Sequence, residues 1–353
     1  MTDHHFRTAI SAVPDPVLHI SGAGEVTICN EAAAELLGDW IVGRHYATVL
    51  RQPGLLGRIE EVQTRAMRAE AQMQMPDRSG ELQYRVRITP LPAGETDTMH
   101  PVLLHISDIT HLRAAEVMRR NFVANVSHEL RTPLTALLGF IETLRGPARD
   151  DPQAQARFLA IMDEEARRMN RLVSDLLSLS RVEEQERMRP SDTVDLRGVL
   201  TGVIATLRPS AEDRDMTLAL ELAEPDTDDP YEVEGDRDQL TQVFVNLVEN
   251  ALKYGGKGNP VVLRLTREDR TPSLGGGTLR VDVMDRGEGI SPHHLPRLTE
   301  RFYRIDAHRS RALGGTGLGL AIVKHIVNRH RGRLRITSEI GEGSTFSVQL
   351  PAR

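Results

Sequence analysis

The chain has 353 residues, of which 39% are hydrophobic and 27% are charged. These values are typical of folded globular proteins and exclude a disordered, collagen-like or disulfide-stabilised chain. A net charge of −6 gives no electrostatic reason to expect direct nucleic-acid binding, the single cysteine excludes an internal disulfide bond, and the length predicts two or three domains.

Residues 1–110 mix short helical and strand-like runs with turn signals such as Ser21-Gly22, and they end in the strand-like segment PVLLHISD. This pattern predicts a small α+β module. No apolar run approaches the ~20 residues that a membrane helix needs, and the N-terminus lacks the pattern of a secretory signal. We therefore expect a cytoplasmic protein, with a membrane complex as a candidate source of its signal.

Residues 111–188 predict a helical hairpin. Apolar side chains recur at helical spacing from Met118 to Leu144, a turn follows at Gly146-Pro147, and a second apolar stripe runs from Phe158 to Leu179. Two amphipathic helices leave one apolar face uncovered, and pairing with a second copy in a four-helix bundle buries it. The pattern therefore predicts a homodimer.

Residues 189–353 alternate helical and strand-like segments. Helices are predicted at 196–207, 238–254 and 318–330, and the strand-like segments are MTLALEL, VVLRLT, LRVDVMD, RLRITS and TFSVQL. This alternation predicts an α/β sandwich with helices on one face of a sheet.

A reactive group is predicted within the first long helix, in FVANVSHELRTPLTALLGF. His128 has Glu129 beside it and Thr132 one turn onward. A carboxylate that holds the hydrogen of one ring nitrogen leaves the other nitrogen free as a nucleophile. Pro133 predicts a bend just beyond the histidine, because proline disrupts the hydrogen bonding of a helix. A lone helical histidine is more often an ordinary surface residue. The interpretation of His128 as a reactive group therefore depends on the residues that surround it in the sequence.

A nucleotide site is predicted in QVFVNLVENALKYGG, where Asn246 and Asn250 lie one turn apart. Amide oxygens can join phosphate oxygens and water around Mg²⁺, and Lys253 adds a cation for phosphate. Taken singly, each of these residues is more often a cap or a solvated side chain.

Two glycine-containing strings follow. In DRGEGI, Asp285 can accept an adenine amino hydrogen, and Gly287 and Gly289 allow a tight turn. In GGTGLGLAIVKH, glycines precede an apolar helix, an arrangement that can direct backbone N–H groups at phosphates. A lone D-x-G-x-G string is weak by itself, since many turns share it.

The string VSHELRTPLTALLGF resembles the H box of the sensor histidine kinases of two-component systems, and the later strings resemble the N, G1, F and G2 boxes of the GHKL ATPase superfamily. The resemblance implies that His128 accepts the γ-phosphoryl group of ATP. It implies that Glu129 acts as base or orienter and that Thr132 positions water for dephosphorylation of a response regulator. Arg304 either neutralises charge during transfer or forms a surface salt bridge.

The same resemblance implies ATP and Mg²⁺ as cofactors, with Asn250 as the Mg²⁺ ligand and Asn246 close by. Asp285 would recognise adenine, and residues 305–313 would form the ATP lid. The other residues expected to contact the nucleotide are Lys253, Tyr254, Gly287, Gly289, Gly315, Thr316, Gly317, Leu318 and Gly319.

Within the family, PRLTERFYRIDAHRSRALGGTGLGLAIVKH is most similar to the phosphate-regulon (PhoR-type) sensor kinases, and NEAAAELLG and SDIT resemble parts of a PAS domain. The implied domains are a PAS-like sensor at 1–110, a dimerisation and phosphotransfer (HisKA) hairpin at 111–188 and an ATP-binding (HATPase_c) domain at 189–353. The implied partners are a response regulator with a DNA-binding output domain and a regulatory partner at the PAS domain.

Two alternatives remain open at this point. One is a GHKL ATPase that hydrolyses ATP to drive a conformational cycle, which the H box and its hairpin disfavour. The other is a PAS-regulated scaffold or predominant phosphatase with little kinase activity, which the intact nucleotide boxes disfavour.

Overall fold

The computed structural model describes residues 3–77, 80–94, 99–185, 188–223, 231–271, 276–306 and 315–353. The chain divides into two compact units, Met1–Ala124 and Asn125–Arg353.

The first unit is built on one antiparallel sheet with the strand order β2-β1-β5-β4-β3. Its strands are β1 (Val17–Ile20), β2 (Val26–Cys29), β3 (Ala69–Asp77), β4 (Gly80–Pro90) and β5 (Val102–Asp108). Its helices are α1 (Asp3–Ser11), α2 (Glu31–Leu37), α3 (Tyr46–Leu50) and α4 (Pro53–Arg65), with a 3-10 turn at Asp39–Ile41. The predicted α+β module is therefore confirmed.

The core of this unit lies where apolar residues of α4, such as Leu55 and Ile59, pack with sheet residues such as Leu18 and Leu104. Asn30 connects the N-terminal segment to the sheet and caps α2. Its side-chain oxygen accepts the N–H groups of Val17 and Ala33.

Two long helices follow, α5 (Thr110–Arg145) and α6 (Pro152–Gln185), so the predicted helical pair is confirmed. Asp151 begins α6 by accepting the backbone N–H groups of Gln153 and Ala154, which have no partner within the helix. Helix α5 continues through Pro133, whose side chain is buried. Within the described ranges, no helix is both long and apolar enough to cross a membrane.

The rest of the second unit is an α/β layer structure. Its helices are α7 (Leu196–Glu212), α8 (Arg237–Tyr254) and α9 (Gly319–Arg329), with a 3-10 turn at Leu295–Arg297. Its strands are β6 (Thr193–Asp195), β7 (Thr217–Leu222), β8 (Glu232–Glu234), β9 (Pro260–Thr271), β10 (Gly276–Asp285), β11 (Arg333–Glu339) and β12 (Gly343–Pro351). The main sheet has the order β11-β12-β10-β9-β7, and β6 pairs with β8.

All neighbours in the main sheet are antiparallel except β7 and β9. Helices α7, α8 and α9 each contact this sheet, and α8 contacts both α7 and α9, as the α/β sandwich prediction requires. Helix α8 buries a helical stripe that includes Leu240, Phe244 and Leu247. Its polar residues Asn246 and Asn250 are only partly buried, so the packing of the stripe leaves them available to a site.

Candidate functional site

His128 lies in the middle of α5 with an exposed side chain. Its ring makes no hydrogen bond to another residue that the structure describes. The Thr132 hydroxyl, one turn on, donates to the His128 carbonyl oxygen at 3.1 Å. The imidazole is therefore accessible to a reactant, while Thr132 is bonded to the backbone.

The Glu129 carboxylate lies between two guanidinium groups. Its Oε2 accepts a hydrogen bond from Arg168 at 3.0 Å and another from Arg304 at 3.2 Å, and its Oε1 accepts from Arg304 at 3.4 Å. Only 7% of the Arg304 side chain and 19% of the Glu129 side chain are exposed. Arg304 thus forms an ion pair with the residue that follows His128, and this pair is largely buried and not a surface salt bridge.

Asn246 and the start of α9 lie side by side. A Cβ built on Gly319 would be 3.3 Å from Asn246 Oδ1, so a glycine lets the two helices approach closely. The Asn246 Nδ2 atom is buried and has no hydrogen-bond partner among the described residues. On the next turns of α8, Asn250 is partly buried and Lys253 pairs with Glu249 at 3.0 Å.

Asp285 lies at the end of β10, against the end of α8. A Cβ on Gly255 would lie 3.1 Å from the Asp285 Cβ, and a Cβ on Gly287 would overlap the Tyr254 carbonyl oxygen. Asp285 Oδ1 accepts the Gly287 N–H at 2.9 Å. Burial raises the pKa of Asp285, and hydrogen bonds from the backbone of Gly287 and Ser344 oppose that rise. Asp285, the residue predicted to recognise adenine, therefore lies beside the end of α8, the helix that carries Asn246 and Asn250.

The glycine segment before α9 contacts the segment that contains Arg304. The Phe302 N–H donates to the Gly317 carbonyl oxygen at 2.8 Å. Gly317 has a φ of +74°, and a Cβ there would lie 2.9 Å from Phe302 Cα and 3.3 Å from Arg304 Nε. The Thr316 hydroxyl accepts the Leu318 N–H at the start of α9.

Two further glycines of the predicted nucleotide site, Gly289 and Gly315, lie within the described residues. Gly289 has a φ of +72°, and a Cβ there would overlap the Glu339 carbonyl oxygen. Gly315 is partly buried. Of the predicted ATP lid, residues 307–313 lie outside the described residues, as does Gly314.

Sequence reasoning missed contacts between α6 and the α/β layers. The Thr316 hydroxyl donates to Asp175 Oδ2 at 2.7 Å, and the Ser178 hydroxyl donates to Gln242 at 2.9 Å. Arg301 pairs with Glu183 at 2.5 Å.

Burial raises the pKa of Asp175, and Glu249 raises it further. The Thr316 hydrogen bond and the charges of Lys253 and Arg171 oppose the rise. The residues that α6 contacts in the α/β layers are far from it in the sequence, so local patterns could not reveal these contacts. The local signal in the sequence was that Asp175 and Ser178 lie between Leu172 and Leu179, which are buried.

The comparisons with known proteins agree with this geometry. Residues 118–185 match the His Kinase A (phospho-acceptor) domain, and residues 235–353 match the Histidine kinase-, DNA gyrase B-, and HSP90-like ATPase. The sensor protein kinase WalK of Staphylococcus aureus is 32% identical over 347 residues, which cover 98% of this chain and 80% of that protein. The chain belongs to the sensor histidine kinases. The expected presence of a HisKA domain and a HATPase_c domain is thereby confirmed.

Other relatives of this sensor histidine kinase match about 70% of its length. The Phosphate regulon sensor protein PhoR of Pseudomonas aeruginosa is 39% identical over 248 residues, which are 70% of this chain and 53% of that protein. The Sensor-like histidine kinase SenX3 of Mycolicibacterium smegmatis is 38% identical over 251 residues, 70% of this chain and 62% of that protein. The match therefore spans about half to three-fifths of these two relatives, and it confirms the expected similarity to the PhoR type.

Among solved structures, the histidine kinase ThkA, crystallised in complex with the response regulator protein TrrA, superposes with a TM-score of 0.51. The alignment covers 98% of both chains at 21% sequence identity. At this identity the comparison supports a shared fold and no more.

Proposed function

We propose that this sensor histidine kinase transfers the γ-phosphoryl group of ATP to His128 and then to an aspartate of a response regulator. One observation supports this most strongly: Arg304, whose Nε would lie 3.3 Å from a Cβ built on Gly317, pairs with Glu129, the neighbour of His128 in the sequence. The predicted phosphate-binding segment and the predicted phosphoacceptor are thus connected through two side chains.

In the first step, a nitrogen–phosphorus bond forms at the His128 ring while the bond between the γ-phosphorus and the bridging oxygen of ADP breaks. Catalysis of this kind depends on positioning and on charge stabilisation. Arg304 would neutralise charge on the moving phosphoryl group, and for this it must exchange at least part of its contact with Glu129. Glu129 would then act as orienter or base for the His128 ring.

The residues of α8 and β10 fit a bound nucleotide. The buried Asn246 Nδ2 is a donor with no described partner, and Asp285 is a buried acceptor. Asn250 would hold Mg²⁺, which neutralises phosphate charge when bound. No group of three or more His, Cys, Asp or Glu side chains in the described ranges could hold a metal. Phosphate and water oxygens would therefore supply most of the six ligands of Mg²⁺.

The nucleotide would also be lined by the backbone and side chains of the adjoining segments. We propose Lys253, Tyr254, Gly287, Gly289, Gly315, Thr316, Gly317, Leu318 and Gly319 for this lining.

We also propose a PAS-like sensor at 1–110, a phosphotransfer hairpin at 111–188 and an ATP-binding domain at 189–353. The sheet order β2-β1-β5-β4-β3, with α2 to α4 between β2 and β3, supports the sensor assignment. Exposed Leu134, Leu138 and Ile141 on α5 support a homodimer, because a second copy would cover these apolar side chains.

The cognate partner is proposed to be a response regulator with a DNA-binding output domain, in phosphate-starvation signalling. Similarity to PhoR supports that pathway. Thr132 would support dephosphorylation of this partner, and a further protein would regulate the sensor domain. We propose that the reaction takes place in the cytoplasm, where ATP and response regulators are found.

Incubation of the full chain with ATP labelled at the γ- or the α-phosphate tests this proposal. The γ-label should enter the protein in an acid-labile, base-stable linkage and then pass to one member of a panel of receiver domains, while the α-label should not be incorporated. ATP hydrolysis without protein labelling would favour the GHKL ATPase alternative. Dephosphorylation of a receiver without any labelling of the chain would favour the scaffold or phosphatase alternative.

A further inference from the structure

Arg168 is placed differently from the adjacent Arg167 on α6. Its side chain is only 14% exposed, and it pairs with Glu129 of the opposite helix at 3.0 Å and with Glu165 at 3.5 Å. The adjacent Arg167 is 72% exposed and pairs with Asp163 on its own helix. Arg168 is therefore directed across the hairpin at the residue next to His128.

Arg168 and Arg304 share one oxygen atom of Glu129. The carboxylate is mostly buried, and a buried charge that loses its counter-ion is strongly destabilised. If Arg304 moves toward nucleotide phosphates, Arg168 is the cation that stays with Glu129. Its Glu165 contact and its position within α6 keep it in place.

Arg304 has the capacity for such a move. Its Nε atom is buried and has no hydrogen-bond partner among the described residues, and Gly317 lies beside that atom. The guanidinium can thus accept a further anionic partner on the side of the glycine segment.

We infer that Arg168 is a positioning residue for phosphoryl transfer, which holds the Glu129 carboxylate in place while Arg304 exchanges Glu129 for the phosphates. The inference rests on the proposed function. Without Arg168, release of Arg304 would leave Glu129 without a counter-ion. Arg304 would therefore be retained on Glu129, and transfer would slow while ATP binding stayed unchanged.

Autophosphorylation kinetics of Arg168→Met and Arg168→Lys test the inference, with Arg167→Met as the matched control. We expect kcat to fall roughly tenfold in Arg168→Met, which corresponds to a rise of about 1.4 kcal/mol in the activation free energy. The KM for ATP should not change. Arg168→Lys should recover part of kcat because it keeps the charge, and Arg167→Met should match the parent chain.

The inference is overturned if Arg168→Met behaves like Arg167→Met, if Arg168→Lys is no better than Arg168→Met, or if only the KM for ATP changes. Should Arg168→Met fail to fold, a several-fold lower kcat in Arg168→Lys at unchanged melting temperature still decides the question. Failure of the proposed function is distinguishable, because the parent chain itself would then show no acid-labile label.

Discussion

Glu129 and Arg304 are separated by 175 residues, yet two hydrogen bonds join the carboxylate of one to the guanidinium of the other. Arg304 also lies against Gly317, in the segment predicted to bind phosphate. The residue expected to neutralise the transferred phosphoryl group is thus held by the residue expected to orient the acceptor. Transfer then requires the exchange of one anionic partner of Arg304 for another.

The first prediction concerns Arg304. Arg304→Met should lower kcat for autophosphorylation by about a hundredfold or more, in the range seen when a charge-stabilising group is removed. Arg301→Met is the matched control, since Arg301 also pairs with an acidic residue of the hairpin, Glu183. Steady-state rates of γ-label incorporation measure both. Equal losses in the two variants would mean that Arg304 only helps to dock the α/β layers on the hairpin.

The second prediction concerns Asn250. Asn250→Ala should weaken Mg²⁺-dependent binding of a non-hydrolysable ATP analogue and reduce labelling, because a hard oxygen ligand is lost. Thr241→Ala on the same helix is the control, since its hydroxyl donates to the helix backbone at the Arg237 carbonyl oxygen. Titration calorimetry at several Mg²⁺ concentrations measures the effect. Unchanged Mg²⁺ dependence would remove Asn250 from the metal site.

The third prediction concerns Gly317. Its left-handed φ and the closeness of the Phe302 backbone leave no room for a side chain, so Gly317→Ala should cost roughly 1–2 kcal/mol or displace the glycine segment. Labelling should fall in either case. Gly202→Ala is the control, because the position lies inside α7 with open space around it. Thermal unfolding and labelling together test this, and a Gly317→Ala protein equal to the parent in both would contradict it.

The fourth prediction is a pH dependence at Asp175. Burial raises the pKa of this carboxyl in the folded state, so its ionised form is the unfavourable one. Its contribution to stability is complete below the unfolded pKa near 4 and is lost as the pH rises through the raised folded value. Asp175→Asn keeps an acceptor for Thr316 without the charge.

Asp175→Asn should therefore melt at a higher temperature than the parent at pH 7, and the difference should shrink toward pH 4. A gain of about 2–4 °C is expected for ~1 kcal/mol in a domain of this size. Asp163→Asn, at an exposed position of the same helix, is the control. A lower melting temperature for Asp175→Asn at pH 7 would contradict the prediction.

Local periodicity was sufficient to predict most of the elements. The helix predicted at 238–254 is α8 within one residue at its start, and the segment RLRITS lies within β11. Each of these segments buries one face of a regular helix or strand. Their hydrophobic periodicity is therefore visible within a short stretch of the sequence. The helix predicted at 196–207 ends later, at Glu212, because Pro209 is accommodated in its last turns.

The contacts between the hairpin and the α/β layers were not predictable in the same way. Asp175 meets Thr316 and Arg304 meets Glu129 only after the chain has folded, since no periodic pattern links residues so far apart. The motif resemblance supplied His128 and Asn250 individually, whereas the shared carboxylate of Glu129 came from the structure alone.

The central claim is that His128 is the phosphoacceptor, and labelling of His128→Gln with γ-labelled ATP tests it most directly. His111→Gln, at another exposed histidine of α5, is the matched control. The account predicts that His128→Gln binds ATP but takes up no acid-labile, base-stable label, while His111→Gln is labelled like the parent chain. Retention of that label in His128→Gln would contradict the account.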